Sequence, residues 1–137
     1  MSNLNMTKLD TIQKREKLNE IFPAGDPGPG GAYHSYEIYR ADGPTPETHP
    51  GYCATNMVRL ACIDFQNGPR AAQDSFPGVC DQDLLEIVRD RLKAFQAGPY
   101  ACFENARALM HIEQALLQLN ERVEDRIKRG VLGTMEK

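Results

Sequence analysis

The stretch from Phe95 to Thr134, FQAGPYACFENARALMHIEQALLQLNERVEDRIKRGVLGT, constrains the fold more than any other part of this chain. Gly98-Pro99 ends one helix, because proline lacks the backbone N–H that continuation needs. Beyond the break, Leu109, Ile112, Leu116, Leu119, Val123 and Ile127 recur every three or four residues, the spacing of one apolar helix face. This predicts a helix from Cys102 to Arg129, stopped by Gly130. Upstream, Asp81 to Phe95 reads as a shorter helix with Leu84, Leu85, Val88, Leu92 and Phe95 on its apolar face. Asp81 is its expected N-cap, and Asp83 suits the positive end of the helix dipole. Two amphipathic helices across a short break make an antiparallel hairpin over residues 81–130. Phe103, Ala106, Met110 and Leu117 give the longer helix a second apolar side, which predicts a subunit interface.

The first half of the chain has a different texture. Thr7 to Phe22 has the spacing of a weak amphipathic helix, capped by Thr7, with Leu9, Ile12, Leu18 and Ile21 apolar. PAGDPGPGG, from Pro23 to Gly31, reads as a linker. Tyr33 to Arg40 is aromatic and β-branched enough for a strand, ended by Asp42-Gly43. A proline-rich loop, Pro44 to Gly51, leads to a second strand, Met57 to Phe65. That strand is apolar on both sides, Val58, Leu60 and Cys62 against Arg59, Ala61 and Ile63, so it is expected to be central or covered. The two strands are expected to pair antiparallel. FQNGP at Phe65 and FQAGP at Phe95 echo each other as turn chemistry. The expected fold class is therefore α+β: a small antiparallel sheet packed with a long C-terminal helical hairpin, plus a short N-terminal helix. In domain terms, residues 1–31 form the N-terminal helix and linker, and residues 32–137 one α+β ligand-binding domain.

Composition narrows the function classes. A chain of 137 residues, 41% hydrophobic and 26% charged, is long enough to bury a core without staples. Its formal net charge of −3 argues against a DNA- or RNA-binding surface, which is usually basic. No apolar run approaches a membrane span and no signal-peptide core opens the sequence, so a cytoplasmic protein is expected. Cys53, Cys62, Cys80 and Cys102 lack C-x-x-C spacing, and His34, His49 and His111 form no ligand pattern. The thiols are expected to be free and mostly buried, with no resident metal or cofactor.

Several side chains have the chemistry to hold a nucleotide. Phe95, beside the Gly98-Pro99 break, is either the last core residue of its helix or a ring on which a base stacks. Asn105, in the first turn of the long helix, either serves the local backbone or reads a base edge or ribose hydroxyl. Arg122, Arg126 and Arg129 fall on one helix face at i, i+4 and i+7 among Glu121, Glu124 and Asp125. Such a stripe is either a solvated face of ion pairs or, where subunits assemble, a phosphate clamp. Arg70, after the FQNGP turn, is positioned to join it. There is no G-x-S-x-G, no Walker loop and no paired-histidine metal helix, so the residues favour binding over catalysis.

From FQNGPR at Phe65, through GVCDQDLLEIVRDRL at Gly78 and LKAFQAGPYACFENARAL, to RVEDRIKRGVLGT at Arg122, the chain resembles the phage anti-defence sponges that inhibit Thoeris immunity. These share a C-terminal helical hairpin with the sponges that inhibit CBASS immunity. The resemblance covers residues 57–137. It implies a non-enzymatic protein that sequesters cyclic immune signals: cyclic ADP-ribose isomers made by TIR proteins and, in some members, cyclic tri- or dinucleotides. It implies a dimer, or a hexamer built from dimers, in the infected host cytoplasm. Matched by position, it assigns Phe95 and Asn105 to a cyclic ADP-ribose pocket, and Arg70, Arg122 and Arg126 to a separate cyclic-trinucleotide site. Phe103 stands where the family usually has arginine and Leu132 where it commonly has glutamate, departures that bear on which ligand is preferred.

Two other readings predict different observables. An enzyme degrading such signals would have to work through His34, His49 or His111, and would release cleaved product. A purely protein-binding hairpin would show no response to any nucleotide.

Overall fold

The computed structural model describes residues 7–49 and 58–137. The chain divides into two compact units, Met1–Asn67 and Gly68–Lys137.

The first unit is a three-stranded antiparallel sheet in the order β1-β2-β3, with β1 Asn19–Ala24, β2 Ser35–Arg40 and β3 Arg59–Asp64. β2 and β3 are the two strands expected from the sequence, and they pair antiparallel with Glu37 opposite Cys62. β1 is a correction. Where a helix from Thr7 to Phe22 was expected, residues 7–18 are irregular and Asn19–Ala24 pairs with β2, Phe22 opposite Glu37. Glu16 has φ of +56°, a left-handed conformation no α-helix accommodates. The helical spacing was carried by few apolar residues, and pairing Ile21 and Phe22 with β2 outweighs it. Pro23 fits because β1 lies at the sheet edge, where a missing N–H leaves no ladder bond unmade. Residues 25–34 connect β1 to β2, with a 3-10 turn at Pro29–Gly31. Gly28 is required there: a Cβ on it would lie 2.3 Å from Cε1 of His34.

β3 is also an edge strand, not the central one expected. A register shift between Ile38 and Tyr39 places Leu60 in a bulge, so the two-sided alternation read from the sequence breaks there. Val58 and Leu60 are 45% and 51% exposed. Met57, Cys53 and the end of the proline-rich loop lie outside the described residues.

The apolar core of this unit is small. Phe22 and Tyr39 are fully buried and meet edge to face, ring centroids 5.9 Å apart, with Ala24 beside them in the buried set. Glu37, also buried, accepts from Nη1 of Arg59 through one carboxylate oxygen. Among the described residues its other oxygen and the Tyr39 hydroxyl make no hydrogen bond of good geometry. Burial, then the Glu37 charge, raises the Tyr39 pKa above its ordinary value of 10.0.

The second unit holds the hairpin: α1, Asp81–Gln96, and α2, Phe103–Lys128. The α1 N-cap is Cys80 rather than Asp81, with Oδ2 of Asp83 accepting from the Cys80 N–H at 2.8 Å. α2 ends in a Schellman turn: Val131 N–H donates to the Arg126 carbonyl and Gly130 N–H to that of Ile127, each at 3.0 Å. Gly130 has φ of +71°, which the turn demands. Most of the predicted seam is half-buried, namely Leu84, Leu85, Leu92, Leu109, Ile112, Leu116, Leu119 and Val123, but Val88 and Ile127, expected on it, are 42% and 50% exposed. Nε of Arg89 bridges the helices to Oε2 of Glu113 at 2.9 Å. Neither helix fully buries an apolar residue, however. Phe103 and Leu117, on the second apolar side, are 69% and 63% exposed.

Candidate ligand-binding site

The candidate residues separate into two groups at opposite ends of α2. Asn105 and Arg122 lie seventeen residues apart on one helix. At 1.5 Å per residue that is about 25 Å, too far for one small ligand to bridge.

At the turn end, Phe95 sits in the last turn of α1 and is 38% exposed, so it is not a closed core residue. The Arg91 guanidinium lies over its ring, 5.5 Å from the centroid. A second pair repeats the arrangement, Arg107 over Phe103 at 5.5 Å. The two helix ends are tied by Cys102 N–H donating to Oε1 of Gln96 at 3.0 Å. Asn105 is half-buried in the first turn of α2, and its backbone N–H donates to Sγ of Cys102 at 3.4 Å. Cys102, not Asn105, is thus the capping residue. Among the described residues the Asn105 side-chain amide makes no hydrogen bond, leaving two donors and an acceptor for a ligand. Sequence reasoning missed Arg91 and Arg107, although an arginine four residues from an aromatic on a helix was a legible signal.

At the far end, the arginine stripe divides by role. Arg122 is exposed and, among the described residues, makes no hydrogen bond or ion pair. Arg126 is 8% exposed and the one buried residue of α2. Its Nη2 donates to the carbonyls of Val131 and Thr134, each at 2.9 Å, and its Nη1 to that of Glu136. These three carbonyls occupy its terminal nitrogens without neutralising its charge, and a buried cation with no carboxylate partner among the described residues favours an anion nearby. Arg129 is committed locally, donating through Nε to Asp125 at 3.0 Å and through Nη1 to the Lys137 carbonyl. Arg70 donates through Nη2 to the Gly78 carbonyl at 3.2 Å, within its own loop.

A groove of about 550 Å³ between the helices is lined by residues including Glu86, Arg89, Glu113 and Asn120, and by none of the candidates. Two carboxylates against one arginine make it a poor phosphate site. Among the described residues no cluster of His, Cys, Asp or Glu is placed to hold a metal, and no helix is long and apolar enough to cross a membrane. The three described cysteines, Cys62, Cys80 and Cys102, are free as expected but exposed rather than buried. Two of them precede helices as N-caps, which places them at the surface.

The chain is similar to known proteins over its C-terminal half. Residues 53–124 match the family described as Acb2/Tad1, hairpin domain. Over 79 residues the chain is 43% identical to Thoeris anti-defense 1 of Bacillus phage SBSphiJ7, covering 58% of this chain and 55% of that protein. The chain thus spans about half the length of the curated relative it matches. It belongs to the Acb2/Tad1 hairpin-domain family.

Proposed function

We propose that this chain is a phage anti-defence sponge: it binds a cyclic nucleotide signal and holds it unchanged, so that the bacterial defence effector does not fire. The observation that carries the reading is the family match over residues 53–124, which spans the hairpin turn and Arg122. The name of the relative, Thoeris anti-defense 1, supports Thoeris as the system opposed.

The proposed division of labour follows the chemistry at each end. Phe95 stacks a base and the Asn105 amide reads a base edge or ribose hydroxyl of a cyclic ADP-ribose isomer. Arg122 and Arg126, with Arg70 from an assembled partner or from the same chain, clamp the phosphates of a cyclic tri- or dinucleotide. Arg129, bonded to Asp125, is the weakest of these candidates. The protein works as a homo-oligomer, a dimer or a hexamer of dimers, in the cytoplasm of the infected cell. Support for assembly comes from the exposed apolar side of α2, with Met110 at 45% and Leu117 at 63% exposure.

Titration calorimetry with cyclic ADP-ribose isomers and cyclic trinucleotides tests the reading on wild-type protein and on Phe95→Ala. Loss of cyclic ADP-ribose binding in the variant, with trinucleotide binding retained, is the expected result. Undiminished binding of every signal by Phe95→Ala contradicts the assigned pocket.

A further inference from the structure

We propose that residues 131–137, which follow α2, form a strap that competes with a phosphate-bearing ligand for the fork of Arg126. The proposal rests on the anionic-ligand reading given above and adds a regulatory step to that site.

The fork of an arginine, its two terminal nitrogens, is what matches the paired oxygens of a phosphate. In Arg126 both nitrogens are taken, Nη2 by the Val131 and Thr134 carbonyls and Nη1 by that of Glu136. With the side chain only 8% exposed, a phosphate reaches this fork where the strap has left it. The exchange favours the phosphate locally, because bonds between two charged groups are stronger than bonds from a cation to a carbonyl. The strap has little else to hold it. Leu132 and Met135 are 51% and 77% exposed, so apolar burial contributes little. Its internal bonds are local: Thr134 N–H and Oγ1–H both donate to the Val131 carbonyl, at 3.1 and 2.6 Å, and Glu136 N–H donates to Oγ1 of Thr134 at 3.2 Å. Arg129 adds a bond to the Lys137 carbonyl.

Gly133 is the lever. Its φ is +80°, and a Cβ placed there would meet only Ala71 Cβ at 4.0 Å. A β-branched residue at this position therefore disfavours the strap backbone, while its Cβ meets no atom closer than ordinary contact distance. A ligand that binds only the strap-open protein has its affinity reduced by the open fraction, and by reciprocity its binding opens the strap.

The test uses the full chain, as wild type and Gly133→Val, with cyclic triadenylate as the probe. Affinity is read by calorimetry and strap opening by amide hydrogen exchange of residues 131–137. The variant is expected to bind about tenfold tighter, and the ligand to speed exchange at Val131 and Thr134 in the wild type. Unchanged or weaker binding by Gly133→Val, or slower exchange on saturation, overturns the proposal and makes the strap a wall of the site. Gly133→Ala, a milder change, replaces Gly133→Val if circular dichroism shows the hairpin has been lost. If cyclic triadenylate binds neither protein, the trinucleotide reading of this end fails on its own. Inorganic triphosphate then tests the competition alone: faster strap exchange upholds it, and unchanged exchange overturns it.

Discussion

Arg89 on α1 reaches Glu113 on α2, Nε to Oε2 at 2.9 Å, and the same guanidinium holds Glu86 at 3.3 Å. This crossing is a polar tie between two helices whose apolar seam is only half-buried. The hydrogen bond to Glu113 is the main reason the Arg89 pKa rises above its ordinary value. With 35% and 40% of the two side chains exposed, solvent screening keeps the pair's contribution small. Glu113→Gln is expected to lower the midpoint of urea denaturation slightly at low salt, and by less at 1 M salt.

Phe22→Ala is expected to unfold the sheet unit. Phe22 is fully buried against Tyr39, and few apolar residues share that core. Truncating a buried phenylalanine costs about 3–5 kcal/mol, which so small a core has little margin to absorb. Loss of strand signal in far-ultraviolet circular dichroism, with helix signal retained, is the outcome that checks it.

Tyr39 makes stability fall at high pH. Its folded pKa is raised above 10.0, so the folded state holds the phenol proton more tightly than the unfolded chain. The stabilisation is complete below pH 10, the unfolded value, and is lost as pH rises through the folded pKa. Tyr39→Phe has no phenol proton to lose and removes a hydroxyl buried beside the Glu37 charge. Its stability relative to wild type is therefore expected to improve between pH 8 and pH 11 in paired denaturant titrations.

Leu117→Asp is expected to dissociate the proposed oligomer while leaving the hairpin folded. Leu117 lies outside the half-buried seam and is 63% exposed within the chain, so a charge there meets water unless a partner covers it. A lower mass by light scattering, with unchanged helix content, is the expected result.

How much of this was legible in the sequence varied with the range of the forces involved. The hairpin was, because its period is local and its stops are chemical: Gly98-Pro99 between the helices and Gly130 after them. The β2–β3 pair was legible from its aromatic and β-branched residues. β1 was not, because its strand identity depends on pairing with β2, a contact between residues up to 21 positions apart, Asn19 with Arg40. The bulge at Leu60 is likewise a property of the pair rather than of β3 alone. At the site, the positions of Phe95 and Asn105 beside the turn followed from helix geometry. The burial of Arg126 did not, since it depends on the path of residues 131–137 after the Schellman turn. A stripe at i, i+4 and i+7 reads as three equivalent arginines, and folding gives them different partners.

The central claim is tested most directly by recovering the ligand. Purified protein is saturated with a cyclic ADP-ribose isomer, its thermal unfolding is followed, and the released small molecule is weighed by mass spectrometry. At about a hundred times the dissociation constant the ligand is expected to stabilise the fold by ~2.7 kcal/mol and to return with its mass unchanged. A cleaved product, or no stabilisation by any cyclic nucleotide, contradicts the sponge.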